Sequence, residues 1–164
     1  MEKYTEQEET RRNSLQKIRE LGINPYPAEE FKTNTTSKEI KSEFSLSKKK
    51  FQNIFLAGRI MSRRIMGKAS FFEIKDSHGK IQAYINRDEI CPGEDKKMYN
   101  DVFKKHLDIG DIVGINGEVF VTKVGETSIR VKKLKVLSKA LKPLPIVKTG
   151  SDGEVYDEFK NTEL

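Results

Sequence analysis

The sequence predicts a mainly β chain, a five-stranded barrel with a helix between its third and fourth strands, preceded by a helical extension. Three observations lead there. Five segments alternate apolar and polar residues with a period of two, the spacing of a strand with one buried face. A helical pattern interrupts them after the third segment. Gly58, Gly114 and Gly117 sit inside strand patterns, where they suit the bends and close approaches of a closing barrel. An open five-stranded sheet with the helix on one face is the alternative architecture.

Each element has its own signal. Thr5 followed by Glu8 is a capping box, opening a helix that runs to Leu21 or Gly22. Its apolar stripe, Leu15, Ile18 and Leu21, is thin, so the helix should lie on another element. Asn24, Pro25, Tyr26 and Pro27 break it and begin an extended stretch. Thr36 with Glu39 is a second capping box, for a short helix to about Phe44. Residues 45–50 read as a basic loop.

The first strand starts at Ile54, with Leu56, Gly58 and Ile60 on one face. The second covers residues 70–75 and the third 81–86. Between them, residues 77–80 form a tight hairpin turn, with Gly79 supplying the positive φ. Residues 94–106 are predicted helical, with Met98, Val102 and Phe103 near one face. A turn at 108–111 leads to strands at 112–122 and 127–137, joined around Val124, Gly125 and Glu126. Three strands, one helix and two strands make the order of a Greek-key OB-fold. The chain so divides into a helical extension (residues 1–50), the barrel (51–142) and a linker (143–164).

Charge narrows the function. The 164 residues carry a net charge of +6, which favours a polyanionic partner. No acidic residue lies between Phe44 and Phe72. In that interval Arg59, Arg63, Arg64 and Lys68 stand just ahead of Phe71 and Phe72, with Lys48, Lys49 and Lys50 adding positive charge. Cations that grip phosphates beside rings that stack on bases are what single-stranded RNA recognition needs. Phosphate-loop, nucleophile-elbow and zinc-protease motifs are absent. Cys91, His78 and His106 lack zinc-ligand spacing, and one cysteine cannot form an internal disulfide. The polar, acidic N-terminus does not read as a signal peptide. An anionic membrane surface would also suit the charge, but no apolar run would span a bilayer; no membrane partner is expected, and the cytoplasm is the expected compartment.

Alternation then sorts the strand faces. Phe72, Ile74, Ile81, Ala83 and Ile85 form the core sets, which turns Phe71, Glu73, Gln82 and Tyr84 outward. An outward Phe71 is a stacking platform for a base. Gln82 beside it carries both donor and acceptor and can read a base edge. Arg64, on the first strand, can bond a phosphate or stack.

These residues resemble the N-terminal anticodon-binding domain of class II lysyl-tRNA synthetases. The run SRRIMGKASF at residues 62–71 is close to that family's TRRIMGKASF. Gly79, Lys80, Ile81 and Gln82 follow at the expected distance. The Asp108–Asp111 turn, the stretch at residues 122–126 and the exit at 138–145 match as well. The resemblance implies that Phe71 stacks on the central anticodon base, Gln82 reads its edge and Arg64 contacts the same region. It implies that Glu126 contacts a neighbouring base. Arg63, Lys68, Glu73 and Tyr84 complete the expected RNA-facing set. The partner implied is the anticodon stem-loop of a lysine tRNA. The family enzyme is a homodimer that uses ATP and Mg²⁺ to attach lysine. Its class II signature motifs are missing here, so no cofactor is expected on this chain, and residues 146–164 read as an acidic, turn-rich tail toward a catalytic domain. Sequence-neutral single-strand binding, or aspartyl or asparaginyl relatives, are the alternatives.

Overall fold

A computed structural model describes residues 3–28, 30–144, 147–149 and 155–157. The threonine N-cap bond of both predicted capping boxes forms. Thr5 Oγ1 accepts from the Glu8 amide at 3.1 Å and opens α1 (Glu6–Glu20). Thr36 Oγ1 does the same for Glu39 at 3.1 Å and opens α2 (Ser37–Glu43). The basic loop tightens into a single 3₁₀ turn at Lys48–Phe51. Lys50 is held there by Glu39 at 2.8 Å and Glu43 at 2.9 Å, so its charge is spent on α2.

The five strands are β1 (Ile54–Met66), β2 (Ala69–Asp76), β3 (Gly79–Asn86), β4 (Ile112–Val121) and β5 (Thr127–Ser138). They close in the order β1-β2-β3-β5-β4, with β3 and β5 parallel and the other pairs antiparallel. The predicted OB barrel is therefore the fold, and the open sheet is excluded. β1 makes the closure by changing partner along its length. Ile54–Arg59 pairs with β4 and Arg59–Met66 pairs with β2. At the changeover a Cβ on Gly58 would lie 2.5 Å from the Lys75 carbonyl oxygen, so only glycine fits there. Gly117 is crossed as closely by the Arg130 carbonyl, and a Cβ on Gly114 would strike the Phe31 ring at 2.7 Å.

A bulge lies between Ile60 and Ser62, opposite the step from Ile74 to Glu73. The extra residue, Met61, reverses the facing of everything after it. Ile60 is buried, so plain alternation would turn Ser62 and Arg64 inward. Instead Arg63 pairs with the buried Phe72, and Arg64 pairs with Phe71.

Between β3 and β4 the helix predicted over 94–106 begins later, and a short helix that the sequence reading did not include precedes it. A short α3 (Arg87–Ile90) is capped by Asn86, whose Oδ1 accepts from the Asp88 amide at 2.9 Å. After a loop at Pro92–Gly93, α4 (Met98–His106) is wound with i to i+5 bonds, such as Leu107 N–H to Val102 O at 2.8 Å. Its buried residues Tyr99, Val102 and Phe103 plug one end of the barrel. Phe103 meets Phe72 with ring centroids 5.3 Å apart. The Tyr99 hydroxyl donates to the Gly67 carbonyl at 2.8 Å and contacts Ser70 Oγ at 2.8 Å, pinning α4 beneath the β1–β2 turn. Helix α1 lies against α4 as expected, and its Ile18 goes further than expected, into the core itself.

Two polar clusters tie the extension to the barrel. Asp76, at the end of β2, accepts from the Ser37 amide and hydroxyl, each at 2.7 Å, and from the His78 and Gly79 amides. That locks α2 to the β2–β3 turn. At the barrel exit, Lys139 Nζ donates to Asp108 at 2.7 Å and to Asp111 at 2.9 Å. Asp111 also accepts from the Asp108 and Ala140 amides. Arg11 of α1 reaches the Ile109 and Ala140 carbonyls, and the Tyr26 hydroxyl donates to the Lys139 carbonyl at 2.6 Å. The motifs at 108–111 and 138–140 therefore meet as one clasp. Of the tail, Val147–Thr149 and Val155–Asp157 pair as two short antiparallel strands. The remainder of the linker and tail reading, at 145–146, 150–154 and 158–164, lies outside the described residues.

Candidate nucleic-acid interface

Strand register builds the site as two parallel rows. In one, Arg64, Phe71, Tyr84 and Arg130 are successive partners across β1, β2, β3 and β5. In the next, Glu73, Gln82, Ser128 and Phe120 are successive partners across β2, β3, β5 and β4. The first row offers flat faces and cations, the second offers polar edges. Phe71 is partly exposed while its neighbour Phe72 is 2% exposed, which is the outward and inward assignment alternation predicts.

An open cleft of ≈ 490 Å³ gathers Arg64, Phe71, Glu73, Gln82 and Glu126, with Lys41 and Lys80 beside them. The Arg64 guanidinium sits 5.7 Å over the Phe71 ring, close enough for a cation–π contact. No carboxylate among the described residues pairs with it. Gln82 is oriented by the Ser128 hydroxyl, which donates to Oε1 at 3.0 Å. Gln82 lines the cleft, and its carboxamide carries an NH₂ as well as this oxygen. An NH₂ only donates, so it selects carbonyl acceptors on a base edge. Glu126 is exposed at the β4–β5 hairpin, its backbone held by Thr122 through N–H to Oγ1 at 3.0 Å and C=O to N–H at 2.9 Å. Its carboxylate accepts only. The cleft can therefore stack a base, offer it donors and acceptors at different places, and neutralise a phosphate.

The other four predicted residues take different places around the cleft. Arg63 contributes to the cleft lining, but its guanidinium does not stand with that of Arg64. The Met61 bulge turns it toward α4, where Nη1 donates to the Phe103 and Leu107 carbonyls and the guanidinium lies 6.0 Å from the Phe103 ring. Burial pulls its pKa below the ordinary value while Asp108 and Asp111 oppose that shift. It caps the C-terminal end of α4. Lys68 is an exposed turn residue outside the cleft lining. Glu73 lines the cleft but faces Lys80 at 3.7 Å, so it tempers that lysine. Tyr84 is not in the cleft lining. It packs against Phe71 with centroids 5.3 Å apart and extends the platform sideways.

The sequence reading missed Lys41, Ser128, Phe120 and Arg130. The last two carry a legible signal, because each stands between or beside buried aliphatics, Val119, Ile129 and Val131, and so faces out. A larger cavity, ≈ 690 Å³, is lined by Gly58, Arg59, Lys75 and Leu144 among others and gathers none of the predicted site residues. Among the described residues no cluster of His, Cys, Asp or Glu could hold a metal, and no helix is long and apolar enough to cross a membrane.

Comparison with known proteins agrees with this geometry. The tRNA anti-codon family of OB-fold nucleic acid binding domains matches residues 54–137, the barrel from β1 to the end of β5. The chain belongs to that family. As an anticodon-binding OB domain it also has close relatives over nearly its whole length. The lysine–tRNA ligase of Christiangramia forsetii is 54% identical over 163 residues, covering 99% of this chain and 28% of the relative. That of Porphyromonas gingivalis is 54% identical over 160 residues, covering 97% and 28%. That of Azobacteroides pseudotrichonymphae is 52% identical over 160 residues, covering 98% and 32%. The chain thus spans about a third or less of the length of these relatives. The anticodon-binding domain of lysine–tRNA ligases is the match, ahead of a sequence-neutral binder or an aspartyl or asparaginyl relative.

Proposed function

We propose that this anticodon-binding domain reads the anticodon loop of a lysine-accepting tRNA on the face formed by Arg64, Phe71, Gln82 and Glu126. Their convergence on one open cleft carries the reading. Basic residues draw in the stem-loop through a salt-dependent attraction. Phe71 stacks on the central base, Gln82 donates to a carbonyl on that base, Arg64 holds its phosphate or stacks from the other side, and Glu126 accepts from a neighbouring base. Uridine, with two carbonyls on its edge, suits an amide NH₂ donor at Gln82 better than an amino-bearing edge does.

In this reading the domain serves a class II, homodimeric, cytoplasmic lysine–tRNA ligase. ATP and Mg²⁺, and the esterification of lysine, belong to the catalytic part of the relatives' length that this chain does not span. The residues here contribute binding and selection. The test is a titration of the chain with anticodon stem-loops that differ only at the central base. Central uridine should bind at least about tenfold more tightly than the other bases. Equal affinities for all four would overturn base reading and favour sequence-neutral binding.

A further inference from the structure

The base cleft has a positive wall that base reading does not use. Lys41 and Lys80 line the cleft, and both also line an adjoining hollow of ≈ 350 Å³ between α2 and the β2–β3 turn, together with Lys38, Ser37 and His78. The hollow has fixed walls. Asp76 holds Ser37 of α2 and the His78 and Gly79 amides of the turn at once, and a Cβ on Gly79 would come within 3.3 Å of Ser37 Oγ. Its charge is one-sided. The two carboxylates of α2, Glu39 and Glu43, are both taken up by Lys50 at 2.8 and 2.9 Å. Asp76 already accepts from four donors. Lys38 and Lys41 are exposed and meet no carboxylate among the described residues, and Lys80 meets only Glu73, at 3.7 Å with both side chains open to solvent, a pair worth little.

We propose that this hollow is a phosphate seat, in which Lys38, Lys41 and Lys80 hold one backbone phosphate of the RNA strand whose base lies on Phe71. The proposal rests on the anticodon reading above and adds to it the path of the backbone. Continuity decides the ligand: two of the three lysines stand in the cleft itself, so a strand with a base there carries its phosphates past them. A phosphodiester oxygen only accepts, and an ammonium only donates. Bonds between such charged partners are the stronger kind. Lysine is a point charge on a flexible stem, without the fork that reads a planar edge. It therefore suits a contact that sets register and carries no sequence information. Because Asp76 ties α2 to the turn, lysines from two elements reach the phosphate from a single rigid piece. The seat should add affinity and salt dependence, while discrimination stays with Gln82 and Glu126.

The experiment neutralises both sides of the contact. Anticodon stem-loops carrying one uncharged methylphosphonate, placed in turn at each loop phosphate, are titrated against the chain, against the double variant Lys38→Gln/Lys41→Gln, and against Lys38→Arg/Lys41→Arg. The wild-type chain should lose about tenfold affinity at one position of the scan. The glutamine pair should lose a similar factor for the unmodified loop, lower the slope of log K against log salt by about one, and lose nothing further for that one methylphosphonate loop. Its preference for a central uridine should be unchanged. The arginine pair keeps the charge and should bind as wild type does. Both lysines are exposed, so the urea midpoint should not move in either variant. Phe71→Ala separates the two readings. If Phe71→Ala weakens binding while the glutamine pair binds every loop as wild type does, the seat is wrong and the base cleft stands. If the glutamine pair weakens every loop by the same factor, with no position masked, the lysines supply only diffuse attraction and the seat is again wrong. If Phe71→Ala also binds as wild type does, the anticodon face itself falls and the seat with it.

Discussion

Two polar regions of this domain are built from the same kinds of side chain and end up doing opposite things. At the barrel exit, Asp111 and Lys139 are 0% and 2% exposed, and Asp108 closes the group. Arg11, Tyr26 and the Ala140 amide take up the carbonyls and carboxylate oxygens around them. On the cleft face, Arg64, Gln82 and Glu126 are held by one or two bonds each, or by a ring contact, and keep donors and acceptors turned outward. A saturated cluster has nothing left for a ligand and contributes to the fold. An unsaturated one gives up stability it could have had and keeps it for binding.

The contrast can be broken first at the clasp. Lys139→Met leaves Asp111 charged and buried without its partner, which should cost about 3–5 kcal/mol of unfolding free energy. Urea denaturation measures it, and a loss below about 1 kcal/mol would mean the clasp is not structural. Next comes the open face. Phe71→Ala should reduce stem-loop affinity by about 1–3 kcal/mol and leave the urea midpoint nearly unchanged. A collapse of stability instead would show that the ring belongs to the core.

The adjacent arginines sharpen the comparison within two residues. Arg63→Ala should lower stability by about 1–3 kcal/mol, since it strips donors from the α4 carbonyls, with the salt slope of binding intact. Arg64→Ala should do the reverse, lowering the slope of log K against log salt by about one. Exchanged outcomes would place the bulge elsewhere.

The smallest effect is acid sensitivity at Asp76. Burial raises its pKa, but hydrogen bonds from the Ser37 amide and hydroxyl and from the His78 and Gly79 amides outweigh that and bring it below the ordinary 3.8. A carboxylate depressed in the folded state stabilises fully above its unfolded pKa and loses that contribution as pH falls through the folded value. Asp76→Asn should therefore flatten the fall of stability below about pH 4 and weaken the α2 attachment at neutral pH. An unchanged acid limb would remove Asp76 from the account.

Legibility followed the same division. Strand alternation sufficed for the barrel, for Phe72 inward and for Phe71 outward, because β2 and β3 pair without interruption from Ala69 to Asp76. It failed at Arg63, because a bulge is a property of the pair of strands and not of either sequence. The Lys139–Asp111 clasp was invisible for a similar reason: its members are 28 residues apart, and charge patterning sees only neighbours. The helix before β4 was expected at residue 94 and begins at Met98, with Asp95 Oδ1 instead accepting from the Lys97 amide at 2.9 Å in the preceding loop. Phe120 and Arg130 are within reach of the same alternation that places Phe71, since they flank the buried Val119, Ile129 and Val131, but they lie on β4 and β5, away from the basic run of β1.

Met61 makes the arginine end of β1 tolerant of one change and intolerant of its opposite. It is the residue left over between Ile60 and Ser62, so exchanges of its side chain should be borne easily, and even its loss would leave Ser62, Arg63 and Arg64 opposite Glu73, Phe72 and Phe71 in unbroken succession. One residue gained between Ser62 and Arg63 would do the reverse. Every later side chain of β1 would turn over, Arg64 toward α4 and Arg63 toward the cleft. The wrong guanidinium would then be presented by a strand that had lost none of its own residues.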